Sequence, residues 1–181
     1  MPHVLNLQIA DICMQIHFVD MFVTDDYDTA YNTFLNRTDT TLIPDINLFL
    51  LIEKLPAIHD MKKIFDSEQS WSMFRQENNY FITLQPQFSA HPFWVARMNQ
   101  NATEINVYCG DEIIHTKNNK IFIENPVRYP MDQIILMYYL SRRGGALFHA
   151  AGIEINKNGY IFAGRSGAGK TTISRQFIKI N

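Results

Sequence analysis

The chain reads as an α+β protein: a β-rich N-terminal region over residues 1–124, then, over residues 125–181, a helix, two strands and the start of a phosphate-loop unit. Three observations predict this. Short apolar strands alternate with polar turns between residues 70 and 124. At NPVRYPMDQIILMYYLSRRGG the pattern changes to that of a capped helix. Near the C-terminal end the stretch YIFAGRSGAGKTT supplies strand, glycine-rich loop and helix start in that order.

Composition sets the bounds. Of 181 residues, 46% are hydrophobic and 19% charged, with 13 Phe, 8 Tyr and 2 Trp, enough apolar surface to offset the entropy of ordering a core. The net charge of −2 excludes the broad basic field that nucleic acid or an anionic membrane surface would require, so any anion site must be local. The start, MPHVLNLQIADICMQIHFVD, has no basic n-region ahead of an apolar run, and no stretch approaches the length of a membrane span, so a soluble cytoplasmic protein is expected. Cys13 and Cys109 stand far apart with no companion Cys and no zinc-type spacing, and read as buried thiols. His3, His17, His59, His91, His115 and His149 are scattered with no metal-ligand spacing.

Along the chain, residues 15–23 read as a strand, and DDYDTAYNTF as turn and irregular surface. Residues 45–65 hold an apolar run that fits either a strand or a buried helix, with Pro56 forbidding one long helix. WSMFR and YFITL flank QENN, PFWVARM and TEINVYC flank NQNA, and EIIHT and KIFIE flank KNN, which predicts an antiparallel meander with Trp71, Trp94 and Tyr108 in the sheet core. In the helix that follows, Pro130 suits the first turn, Asp132 the positive end, Arg142 and Arg143 the negative end, and Gly144 or Gly145 the C′ position. Its apolar residues run nearly all round, so the helix is expected to be buried. ALFHAAGIEI and YIFAG then flank NKNG, with Gly159 expected to take the positive φ.

Gly164, Arg165, Ser166, Gly167, Ala168, Gly169, Lys170 and Thr171 satisfy GxxxxGK[ST], and Thr172 continues into the helix. Glycines let the chain turn tightly and bring backbone N–H groups against phosphate oxygens without Cβ atoms in the way. The helix behind aims its unpaired N–H groups and dipole at the same oxygens. In this pattern Lys170 bridges the β- and γ-phosphates and the Thr171 hydroxyl is a Mg²⁺ ligand. Arg165 either adds charge at the phosphates or points into solvent.

The run GGALFHAAGIEINKNGYIFAGRSGAGKTT resembles the HPr kinase/phosphorylase family, whose kinase domain has the phosphoenolpyruvate carboxykinase type of nucleotide fold. The upstream NPVRYPMDQIILMYYLSRRGG looks like the lead-in of HPr kinase-like proteins encoded beside peptide-modification genes. The resemblance covers residues 125–181 and is weak before them. It implies ATP and Mg²⁺ as cofactors, His149 near the phosphates as a catalytic residue, and γ-phosphoryl transfer to a hydroxyl of a protein, peptide or small molecule.

The family also carries acidic residues downstream of the loop that bind metal and activate the acceptor, and this sequence supplies none there. The resemblance therefore implies the N-terminal part of a kinase unit, incomplete either because the sequence is a fragment or because a second chain supplies the rest; a homo-oligomer is expected separately, from the sheet edge and loop helix left uncovered. The alternative expectation is a truncated, non-catalytic relative that binds nucleotide or a partner.

Overall fold

A computed structural model of the chain describes residues 3–18, 34–35, 43–68, 70–117 and 120–178. Among the described residues, ten strands precede the first α-helix. They are β1 (His3–Ile9), β2 (Ile12–Phe18), β3 (Ile46–Leu51), β4 (Lys62–Asp66), β5 (Trp71–Gln76), β6 (Asn79–Leu84), β7 (Trp94–Asn99), β8 (Glu104–Cys109), β9 (Ile114–Lys117) and β10 (Lys120–Ile123). Helix α1 (Met131–Ser141) follows, then β11 (Ala150–Ile155), β12 (Asn158–Ala163) and helix α2 (Lys170–Ile178).

The first eight strands form one mixed sheet in the order β1-β2-β3-β8-β7-β6-β5-β4. β3 lies parallel to both β2 and β8, and every other pairing is antiparallel. After β3 the chain crosses to the far edge and returns as a meander, β4 to β8, which brings β8 back beside β3. The crossing segment, residues 52–61, lies over the second face of the sheet. There Leu55, Ile58 and Met61 cover Phe74, Phe81 and Val95, which strand alternation points away from the main core.

On the first face, alternate residues of the central strands are buried: Met14 and Ile16, Ile46 and Leu48, Ile105 and Val107, Ala96 and Met98. α1 seals them with Met131, Ile134, Ile135, Leu136 and Tyr139. The helix is covered on one side only, not buried all round: Met137 is 50% exposed on its outer side. The edge strand β4 is exposed throughout, breaks register between Lys63 and Phe65, and carries Lys62 and Lys63, all features that discourage another strand from pairing with it.

The expected fold class is overturned. The described fold is strand-dominated, an eight-stranded mixed sheet with two short helices, and no phosphate-loop nucleotide domain of the HPr kinase or phosphoenolpyruvate carboxykinase type is formed. The physical reason lies in the pairing of the strand that enters the glycine loop. Among the described residues β12 pairs only with β11, as an antiparallel ribbon separate from the large sheet, so the loop there does not issue from a strand inside a multi-stranded nucleotide-binding sheet. The sequence order strand–loop–helix is present; the sheet that would make it a domain is not.

Local expectations fared unevenly. The three expected hairpins all form, but β9–β10 stands as its own two-stranded sheet. The undecided residues 45–65 divide into β3, irregular chain and β4. The strand expected over residues 15–23 begins earlier, as β2, and its residues 19–23 lie outside the described residues, as does all but the last residue of DDYDTAYNTF. Trp94 is buried in the core and Trp71 half-buried against it. Tyr108, half-buried, alternates onto the second face. Between β11 and β12 the positive φ values fall at Asn156 (51°) and Lys157 (65°), while Gly159 pairs with Glu154 inside the ladder. Two successive left-handed residues match the right-handed twist of the strands they join, and Asn is among the residues that tolerate them best.

Candidate functional site

The glycine-rich loop runs from the end of β12 to the start of α2. Gly167 and Gly169 both have φ of +82°, a left-handed conformation costly to any residue with a Cβ. At Gly164 a Cβ would come within 3.1 Å of the Ala168 side chain, so the two ends of the loop approach closely there. The Ala168 N–H donates to the Arg165 carbonyl at 3.1 Å, closing the turn, and the Ile173 N–H donates to the Gly169 carbonyl at 2.9 Å as the first bond of the helix.

That last bond fixes which donors are left over. In a helix beginning at Lys170, the N–H groups of Lys170, Thr171 and Thr172 precede the first intrahelical bond and have no acceptor on the helix itself. They carry the positive end of its dipole. No acidic residue occupies the first turn to compete for them.

The Lys170 ammonium donates to the Gly164 carbonyl at 2.7 Å and the Arg165 carbonyl at 2.9 Å. It thereby closes the loop from the helix side. Arg165, Ser166, Ala168, Thr171 and Thr172 are exposed. The Arg165 side chain forms no ion pair or hydrogen bond with a described residue, which leaves its charge available beside the loop. The Thr171 carbonyl accepts from the Ser174 hydroxyl at 3.1 Å, and the Thr171 hydroxyl is uncommitted.

His149 immediately precedes β11, as Gly164 immediately follows β12. The β11–β12 ladder ends at the Ala150–Ala163 pair, so His149 and Gly164 each lie one residue beyond its last registered pair. His149 is exposed. The ribbon and helix hold together through the packing of α2 on β11 and through a stack of Phe162 on Phe177, with ring centroids 6.4 Å apart.

The arrangement thus groups one ammonium, one guanidinium and a helix N-terminus around an exposed turn. No group of three or more His, Cys, Asp or Glu side chains is placed to hold a metal ion among the described residues. No helix there is long and apolar enough to cross a membrane. How Lys170 is held is not legible in the sequence, because its partners are main-chain carbonyls whose direction depends on the turn. It also passed over Asp45 and Tyr139, 94 residues apart and joined by a 2.8 Å hydrogen bond.

Compared with known proteins, the chain matches no family model, no curated protein and no solved structure. The HPr kinase resemblance therefore rests on the residues of the segment 125–181 alone.

Proposed function

We propose that residues 164–172 bind the phosphates of ATP with Mg²⁺, and that the chain contributes this site to an HPr kinase-like phosphotransferase acting on a hydroxyl of a protein, peptide or small molecule. The observation that carries the reading is the loop itself. Two left-handed glycines turn the chain into the start of a nine-residue helix whose first residue is Lys170. A turn of this kind presents backbone N–H groups and a fixed cation to an anion with little reorganisation.

In this reading Lys170 exchanges its carbonyl partners for β- and γ-phosphate oxygens, and Arg165 adds charge at the rim. The Thr171 hydroxyl supplies one oxygen to Mg²⁺, with phosphate oxygens and water completing the shell, as suits a cation that retains several waters. His149, which the family resemblance sets near the phosphates, immediately precedes β11, whose partner strand β12 leads into the loop, and is assigned to contact the phosphoryl group being transferred.

A second reading, a nucleotide-binding module without turnover, draws support from one feature. Among the described residues no carboxylate stands in the loop or the first turn of α2, so no base for the acceptor hydroxyl is visible there. ADP release from Mg-ATP in the presence of candidate acceptors distinguishes the two.

Calorimetric titration of the full chain with Mg-ATP tests the site. Charge-assisted hydrogen bonds from Lys170 predict that Lys170→Ala weakens binding about ten- to hundredfold. Identical heats from the two proteins would remove the loop from any role in nucleotide binding.

A further inference from the structure

Thr83, on β6, is the one polar side chain that the fold buries among the described residues; it is 3% exposed, and its hydroxyl bonds to no described residue. Buried polar groups are nearly always paired, so this hydroxyl calls for a partner from outside the chain. Strand alternation turns Thr83 toward the second face of the sheet. There the register sets it beside Ser72, and Ser72 beside Asp66. The three form a polar row across β6, β5 and β4.

The row lines a cleft of about 390 Å³, with Phe74, Gln85 and Gln87 also in its wall. A single water, whose share of liquid volume is about 30 Å³, would fill a small part of it. Lys63 Nζ donates to Asp66 Oδ2 at 2.7 Å and the Glu68 N–H donates to Asp66 Oδ1 at 2.9 Å, so the one cation of the cleft is already neutralised. Gln85 Nε2 donates to the carbonyls of Ser89 and Ala90, and Gln87 Nε2 to that of Glu68, all at 3.2 Å. Both carboxamide oxygens are left as acceptors. The cleft therefore offers hydroxyls, amide oxygens, the Glu68 carboxylate and an aromatic wall, with no spare positive charge for an anion and no ligand cluster for a metal among the described residues.

We infer that this cleft binds a small uncharged polyol or monosaccharide, anchored by the Thr83 hydroxyl. Its volume falls within the range of small-molecule sites. The inference uses no residue of the glycine loop and stands or falls apart from nucleotide binding.

An NMR titration of the ¹⁵N-labelled full chain with D-glucose, myo-inositol and, as an anion control, inorganic phosphate tests it. The expected result is saturable shifts at the amides of Ser72, Thr83 and Gln85 with at least one of the two polyols and none with phosphate. Thr83→Val should weaken that binding about tenfold while leaving the thermal midpoint unchanged or raised, since it deletes an unpaired hydroxyl. Ser72→Ala, with the same loss expected, serves if Thr83→Val does not fold. The proposal is overturned if neither polyol produces saturable shifts at these amides, if phosphate alone does, or if wild type and variant bind equally. A folded Thr83→Val with a lowered midpoint would also overturn it, by showing a hydroxyl already paired inside the protein.

Discussion

The Tyr139 hydroxyl donates to Asp45 Oδ1 at 2.8 Å while the Cys13 N–H donates to Asp45 Oδ2 at 2.9 Å, so one carboxylate ties α1 to the sheet beneath it. The Arg143 guanidinium lies 3.6 Å from the centroid of the Tyr139 ring and donates to the Tyr139 carbonyl at 3.1 Å. Burial, followed by the hydrogen bond to Asp45, pushes the Tyr139 phenol above its ordinary pKa. Burial likewise pushes the Cys109 thiol from 9.0 up to about 12. Both groups hold their protons more tightly folded than unfolded. Their contribution is therefore complete below the unfolded values and is lost as pH rises through the folded ones. The window opens near pH 9 for Cys109 and near about pH 10 for Tyr139. Tyr139→Phe should cost about 1 kcal/mol at neutral pH, the net worth of one hydrogen bond. It should also lose less of its urea midpoint than wild type does between about pH 8 and about pH 10.5. Parallel losses in the two proteins would show that Tyr139 does not contribute to the alkaline dependence.

Helix α1 buries one side and leaves the other in solvent, and this gives the element a direct test. Ile135 is fully buried against the sheet, whereas Met137 is half exposed. Ile135→Ala should destabilise the protein by about 2–5 kcal/mol through lost burial and a residual cavity. Met137→Ala should stay within about 0.5 kcal/mol of wild type, as surface changes usually do. Equal urea midpoints for the two variants would contradict the packing of α1. The helix was legible in the sequence because its caps are local: Pro130 stands at the N-cap and Gly144 takes φ of +71° just past the end. Its buried face was not legible, since QIILMYYL is apolar on nearly every side and only the position of the sheet selects which residues are covered. The hairpins were legible for the same local reason, strand propensity interrupted by polar turns. Where the turn chemistry was subtler the reading slipped: glycine was expected to take the left-handed position in NKNG, and Asn156 and Lys157 take it instead.

At the scale of the molecule, the parallel placement of β3 between β2 and β8 could not be read from sequence, because parallel neighbours are joined by distant connections that leave no local signature. The same limit explains the failed expectation of a nucleotide domain. GRSGAGKTT specifies a turn and a helix start, but which sheet the preceding strand joins is a long-range property. The result is a protein whose stabilising contacts are unevenly spread. β3 and β8 lie inside an eight-stranded sheet sealed by α1, whereas β11 and β12 form a two-stranded ribbon packed by α2, with Tyr160 and Ile161 exposed. An isolated ribbon is marginal in water, because neither strand has a second neighbour and little apolar area is covered. Amide exchange should therefore be at least about a hundredfold faster in β11 and β12 than in β3 and β8, the ribbon opening locally while the large sheet exchanges only near global unfolding. Saturating Mg-ATP should narrow that gap at the glycine loop and the first turn of α2, since a ligand bound only to the ordered loop stabilises it by mass action. Uniform protection across all four strands would mean that ribbon and sheet open as one unit, and the glycine loop would then rest on a scaffold as stable as the core.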